Sequence, residues 1–265
     1  MQVYAAGMAA VLDRAFVRAS GPDAVAYLQS MVTNDVEAVE PGGGTYALLL
    51  TPKARVISDL EVFRVDGDLV LACPPQAVDD VVETLIRARF RKKVAFDPVE
   101  YALVWGDADD ALAELQTPAG VERLLAAAPA NGAATEADWE LARIEAGMPR
   151  FGHEFDASSM PAEAGLETRA ISFTKGCYPG QEPVARLHYR GHANRGVRGV
   201  RLDGAMVEPG AEVTVGGAAV GRVTSAVESP RFGPIGLAIL RREVEEGAVG
   251  EAGGTPLTVV ALPFS

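Results

Sequence analysis

The stretch 171–186 gathers reactive and turn-forming residues around a single cysteine. Gly176, Pro179, Gly180 and Pro183 bend the backbone. Among them stands Cys177, one of only two cysteines, with Lys175 two positions before it and Glu182 five after. Residues 180–189 read as a short helix. Pro183 is tolerated in its first turn, where N–H groups have no intrahelical partner, and Gly191 ends it. Cys177 is thus placed just before a helix N-terminus and beside an ammonium. Both favour a thiolate, so the thiol is expected to titrate below the value of about 8.5 of a free cysteine. The same residues also admit a buried, inert cysteine in a tight turn.

Three further groups could do chemistry. Residues 54–65 read as a strand, in which alternation puts Asp59 and Glu61 on one face with Ile57, Phe63 and Val65. Two carboxylates on a partly apolar face mark either a polar pocket or a solvent-facing edge. Glu145 falls in the last turn of a helix, at the negative end of its dipole, where a carboxylate costs about 0.3–1 kcal/mol. It is either an exposed residue tolerated at small cost or one kept for function. Between 186 and 201 lie Arg186, Arg190, Arg195, Arg198 and Arg201 with His188 and His192. This is either a solvated strand and loop or an anion subsite. Gly191 separates the two histidines and no acid or thiol stands near them, so a metal site is not expected. The basic run Arg87–Lys93 closes a helix, where cations complement the dipole; an anion-binding role is the alternative.

The elements that must hold these groups follow from periodicity. A strand over 14–19 leads to a helix with Val25, Leu28, Met31 and Val32 on one face, ended by Thr33, Asn34 and Asp35. An apolar strand over 46–50 precedes the Asp59 strand, and Asp66-Gly67-Asp68 turns into a strand ending at Cys73. Val78, Val81, Val82, Leu85 and Ile86 give the next helix an inner face. Two strands over 94–105 are split at Asp97-Pro98. Asp107 is expected to cap a short helix reaching Leu115, and a second helix is expected over 121–126. Thr135-x-x-Asp138 forms a capping box for a helix through Trp139, Leu141 and Ile144, stopped at Gly147. From Gly196 short β-rich runs alternate with Gly and Pro turns, the pattern of a small all-β barrel.

Composition bounds the rest. At 265 residues and 48% hydrophobic, the chain can bury a substantial core in one large domain or two smaller ones. A net charge of −12 argues against sequence-independent attraction to nucleic acid or anionic membrane. Two cysteines supply no disulfide framework, zinc set or four-thiolate cluster. No signal peptide or membrane-spanning run is read, and a cytoplasmic location is expected.

Lys175-Gly176-Cys177-Tyr178-x-Gly180-Gln181-Glu182-x-x-x-Arg186 resembles the signature K-G-C-Y-x-G-Q-E-x-x-x-R of the YgfZ family of folate-binding proteins, relatives of the glycine-cleavage T-protein. Residues 143–152 are similar to the segment R-x-E-A-G-x-x-x-[YF]-G shared by both groups. Residues 28–35 resemble L-Q-x-x-x-T-N-D, and 58–64 resemble the T-protein's D-D-L-x-V-Y-R, with Ser58 in place of the first aspartate. Met160-Pro161-x-Glu163-x-Gly165-Leu166 also fits. The likeness is strongest over 171–186 and weakest over 100–135.

The resemblance implies an α+β fold: a T-protein-like folate-binding region of two α/β subdomains around a central cavity, plus a small C-terminal β-barrel. The expected boundaries are 1–195, with subdomains of roughly 1–93 plus later segments and 94–150, and 196–265 for the barrel. The implied cofactor is tetrahydrofolate or a one-carbon derivative. Cys177 and Asp59 are the implied catalytic residues, with Asp59 facing the folate's reactive nitrogens and Glu145 holding the pterin. Lys175, Tyr178, Gln181 and Arg186 are the other implied cofactor-binding residues. The implied function is an accessory one, supporting assembly or repair of iron–sulfur enzymes by a monomer with transient client contacts. The family has also carried a tRNA-modifying label, although direct nucleic-acid binding is not expected of so acidic a chain. The alternatives are an aminomethyltransferase of the glycine-cleavage type, against which Ser58 counts, and a folate-binding module without chemistry.

Overall fold

The computed structural model describes residues 9–129 and 134–265. The first half runs β1 (Ala9–Leu12), β2 (Ala15–Ser20), α1 (Ala24–Gln29), β3 (Gly44–Leu50), β4 (Val56–Val65), β5 (Asp68–Cys73) and α2 (Val78–Ala88). It continues through β6 (Ala95–Val99), β7 (Ala102–Gly106), β8 (Ala113–Thr117), β9 (Gly120–Leu125), α3 (Glu136–Glu145), α4 (Glu167–Ala170) and α5 (Gln181–Arg190). Six strands follow: β10 (Arg195–Leu202), β11 (Glu212–Val215), β12 (Ala218–Ser229), β13 (Gly233–Arg241), β14 (Val249–Ala252) and β15 (Thr255–Val260).

These strands form two antiparallel sheets and a barrel. The five-stranded sheet has the order β3-β4-β5-β2-β6, the four-stranded one β1-β7-β9-β8, and β10-β13-β12-β11-β14-β15 close on themselves. The chain is therefore α+β with a C-terminal six-stranded barrel. Pro98 sits in β6, an edge strand, where a missing N–H leaves no gap in the ladder.

Strand alternation gives the five-stranded sheet two apolar faces. Leu60 and Val62 of β4 pack with Leu28, Val32, Val81 and Leu85 beneath α1 and α2. Phe63 and Val65 of β4, with Tyr46 and Leu48 of β3, pack in the central core against Leu103 and Trp105 of β7 and Trp139 of α3. The face carrying Asp59 and Glu61 is this central one, so the solvent-edge alternative is excluded: the two residues are 2% and 1% exposed.

Two segments differ from their sequence reading. The helices expected after Asp107 and over 121–126 are instead the strands β8 and β9, paired in the register Ala113↔Leu124 to Thr117↔Gly120. Small residues concealed a period-2 pattern in which Leu115, Glu122 and Leu124 are buried. By contrast, the capping box of α3 forms: Asp138 N donates to Thr135 Oγ1, and Thr135 N donates to Asp138 Oδ2 at 2.7 Å. Gly147 follows with φ +67°, the left-handed conformation that terminates the helix.

The barrel is fastened to this core through α3. Arg143, fully buried, donates to Glu154 Oε2 (3.1 Å), Met148 O (3.2 Å) and, across the seam, Ser225 Oγ of β12 (2.8 Å). Glu154 also accepts from Thr224 Oγ1 at 2.8 Å and Ser225 Oγ at 2.5 Å.

Candidate functional site

The centre of the molecule is polar. Arg14, in the link between β1 and β2, makes a two-pronged bond to Glu61, Nε to Oε2 at 3.1 Å and Nη2 to Oε1 at 2.9 Å. Its Nη2 also stands 3.9 Å from Asp59 Oδ2. Asp59 Oδ2 accepts from the Tyr46 hydroxyl of β3 at 3.0 Å. The Arg169 guanidinium of α4 lies over the Tyr46 ring, 3.8 Å from its centroid. Glu122 of β9 and Trp139 of α3, 1% and 2% exposed, complete the group. Both sheets and two helices therefore converge on it.

Burial and neighbouring charge shape its titration. Burial raises the Asp59 carboxyl, and Glu61 adds to this; Arg14, the Tyr46 hydrogen bond and Arg169 act the other way. Burial pushes Glu122 up to about 7, helped by Glu61 and opposed by Arg169, Arg14 and the Trp139 N–H. Burial and Asp59 together raise Tyr46 well above the ordinary phenol value. For Arg14, burial favours the neutral form, but Glu61 and Asp59 outweigh it and keep the guanidinium charged. The Trp139 N–H is directed at Glu122, while Asp59 Oδ1 and both Nη atoms of Arg169 are buried without a hydrogen-bond partner. Such atoms are costly in an apolar interior and mark places where water or a ligand belongs.

Glu122 binds its proton more tightly folded than unfolded, since about 7 lies above the ordinary glutamate value near 4.5. Its contribution to stability therefore falls as pH rises between those values. Glu122→Gln is expected to raise the melting temperature at pH 8 and change it little at pH 5, as thermal denaturation at both would show.

The residues singled out in the sequence do not all meet. Asp59 is in the central cluster. Glu145 ends α3 with its carboxylate turned to the barrel, accepting from Ser229 Oγ at 2.6 Å and Arg231 Nη1 at 3.2 Å. Cys177 is exposed in the loop between α4 and α5, so the buried alternative does not hold. Its loop is anchored by the next residue, Tyr178, which is 7% exposed within the central core. Gly180 has φ +84°, and a Cβ there would stand 2.7 Å from Thr51 O, so this turn requires glycine. Gln181 opens α5 half-buried, and Arg186 is exposed on it.

Lys175 does not flank the thiol as an available ammonium. Its Nζ donates to the carbonyls of Gln29 (2.6 Å), Val32 (2.7 Å) and Asn34 (2.9 Å), tying the loop to the end of α1. An ammonium has three protons and all three are engaged, which leaves none for a cofactor. Burial lowers its pKa to about 8, against the pull of Asp35 and Glu37. His188 stacks on Phe173 at 4.0 Å and meets Glu167 Oε1 at 3.3 Å. No metal-holding group of His, Cys, Asp or Glu occurs among the described residues.

The sequence singled out Asp59 and Glu61 through their shared strand face but not Arg14, Tyr46, Glu122, Trp139 or Arg169. The cleft that shares Arg14 with the cluster has a volume of about 950 Å³ and is lined by Phe16, Val78, Val82 and Tyr101.

Comparison with known proteins agrees with this architecture. The GCVT N-terminal domain matches residues 4–118, and the glycine cleavage T-protein C-terminal barrel domain matches 195–265. The chain belongs to the glycine-cleavage T-protein-like family, which includes the YgfZ and IBA57 proteins. Within it, the chain is 28% identical over 279 residues to the mouse iron-sulfur cluster assembly factor IBA57, mitochondrial, covering 88% of this chain and 77% of that one. It is 29% identical over 224 residues to the tRNA-modifying protein YgfZ of Yersinia pestis (69% and 67%). It is 31% identical over 274 residues to the aminomethyltransferase of Streptomyces avermitilis (96% and 66%). The crystal structure of the glycine cleavage system aminomethyltransferase T from Bartonella henselae superposes with a TM-score of 0.81, over 98% of this chain and 87% of that one, at 18% identity. That likeness establishes the family fold. No helix among the described residues is long and apolar enough to cross a membrane.

Proposed function

We propose that this T-protein-like chain binds a tetrahydrofolate-type cofactor at the Asp59 cluster and, through the exposed Cys177 loop, supports assembly or repair of iron–sulfur enzymes. The observation that carries the reading is Asp59 itself: a buried carboxylate with one oxygen held by Tyr46 and the other unpaired, at the junction of both sheets and two helices. The residues suit a folate head, which offers N–H donors to the unpaired Asp59 oxygen and a ring carbonyl to the Arg169 guanidinium. A bound tetrahydrofolate would supply a one-carbon carrier. Asp59 would orient its reactive nitrogens and Tyr46 would hold Asp59 in place. Glu145 would hold the pterin, with Ser229 and Arg231 orienting its carboxylate from the barrel side. The partner role draws support from the iron–sulfur assembly relative and from the exposure of Cys177.

Transfer of an aminomethyl group is the second reading, favoured by the Streptomyces relative. The serine at position 58 weighs less against it than the sequence suggested. Ser58 is fully buried, bonds Asp59 O at 2.7 Å, and lies on the opposite strand face from Asp59. The central cluster thus keeps its carboxylates whatever stands at 58.

Calorimetry with tetrahydrofolate should give saturable binding, weakened about tenfold or more in Asp59→Asn. Cys177→Ala should bind as wild type, yet fail to restore cluster-dependent enzyme activity in cells lacking the protein. Full restoration by Cys177→Ala would refute the thiol's part, and turnover of an aminomethyl donor by the purified protein would move the second reading ahead.

A further inference from the structure

We infer that the outer face of α2, with the tip that follows it, is an interface for a second copy of this chain, two α2 helices packing antiparallel about a two-fold axis near residues 84–85. This surface is separate from the residues assigned to the cofactor, and the pairing stands whether or not a folate binds.

Two rows at the helical spacing i, i+4 run along this face. One is apolar: Val78, Val82 and Ile86 in the helix, continued by Phe90 just past its end. Val78 and Val82 are half-buried, but Ile86 is 44% exposed and Phe90 86% exposed, so the row emerges into solvent as it nears the tip. Large apolar side chains exposed side by side gain free energy when a partner covers them. The other row is charged: Asp79 and Glu83, then Arg87 and Arg91. Glu83 and Arg87 pair at 2.6 Å, both well exposed, while Asp79 and Arg91 have no ion-pair partner among the described residues. With acid at its start and base at its end, this row is complementary to itself when reversed. An antiparallel copy sets Glu83 against the partner's Arg87 and Asp79 against the partner's Arg91. The same axis sets Val82 against the partner's Ile86 and Val78 against the partner's Phe90. One axis thus serves both rows, as an isologous interface requires. The phenyl ring arrives where Val78 and Val82, with Phe16, Tyr101 and Glu100, line the cleft of about 950 Å³. An apolar pocket of this kind suits an aromatic anchor flanked by cations. A polyanion is a poorer occupant. A nucleic acid or an anionic bilayer would suit Arg91, Lys92 and Lys93, but would lie against Asp79, Asp80 and Glu83 of the same helix and a chain of net charge −12.

Sedimentation equilibrium of the full chain, from about 1 to about 200 μM, is the test. Expected is a reversible dimer that weakens as salt rises, because its charge pairs are exposed at the rim. Phe90→Ser changes an exposed side chain and should weaken association about tenfold or more. Glu83→Lys and Arg87→Glu should each weaken it as well, since either one sets like charges face to face twice in the pair. An equimolar mixture of these two variants should associate more tightly than either alone, because each new charge then meets an opposite one. Thermal melting establishes that the three variants are folded. Wild type that stays monomeric at the highest concentration overturns the interface. So does a dimer that Phe90→Ser and both charge variants leave unchanged. Failure of the mixture to recover association overturns the antiparallel pairing. A wild-type monomer that instead sediments with vesicles of phosphatidylcholine and phosphatidylserine, and no longer does so as Phe90→Ser, overturns it too and gives the tip to a bilayer.

Discussion

Replacing Arg143 with methionine is expected to lower unfolding stability by about 3–5 kcal/mol, the range found when one partner of a buried ion pair is removed. The side chain is fully buried and engages Glu154, Glu140, Ser225 and the Met148 carbonyl. Methionine fills much of the volume but leaves Glu154 in the interior without its cation. Thr224, Ser225 and the Arg150 N–H still donate to that carboxylate, yet none carries a charge inside the seam. Adding Glu154→Gln should recover a good part of the loss, because the amide leaves no uncompensated charge. Urea denaturation of the two single variants and the double variant measures the coupling. A loss of less than about 1 kcal/mol would place Arg143 among ordinary surface pairs and refute its role as the barrel's fastening.

Arg14→Met should show a loss of similar size at pH 8, with a distinctive pH dependence. Arg14 neutralises Glu61 through two hydrogen bonds and also lowers the proton affinity of Asp59. Without it, the Asp59 carboxyl would hold its proton in the folded state still further above its unfolded value of about 4. A folded state that binds the extra protons loses stability as pH rises through that window. The deficit relative to wild type should therefore shrink on going from pH 8 to pH 5. Arg14→Lys should lie between, since it restores charge but not the fork. Equal deficits at both pH values would show that packing, and not charge compensation, is what Arg14 contributes.

Much of the scaffold was legible in local chemistry. Thr135, Asp138 and Gly147 marked the ends of α3, and Gly180 and Pro183 marked the start of α5. The Gly- and Pro-punctuated runs after 195 announced the barrel, and alternation along β4 placed Asp59 beside Glu61. Each of these signals acts within a few residues, so one sequence suffices to read it. The misread segment is instructive, because it contained Glu122. Its small residues fit a helix as well as a strand, and only pairing with β7 and β8 chose between them. An unrecognised strand hid an inward-facing carboxylate.

The Cys177 loop, read alone, suggested a thiol activated by its neighbour and joined to Asp59 and Glu145 around one cavity. The sequence by itself determined the loop's turn, its following helix and the family to which its motif belongs. Tertiary structure decided what each side chain does. It gave the Lys175 ammonium to three carbonyls near α1, turned Glu145 toward Ser229 and Arg231, and left Cys177 at the surface. It also brought Arg14, Tyr46, Glu122, Trp139 and Arg169 around Asp59 from positions as far apart as 14 and 169. The reason is physical: a charged or polar side chain takes its role from the partners and the burial it meets after folding, and these are set by contacts between segments distant along the chain.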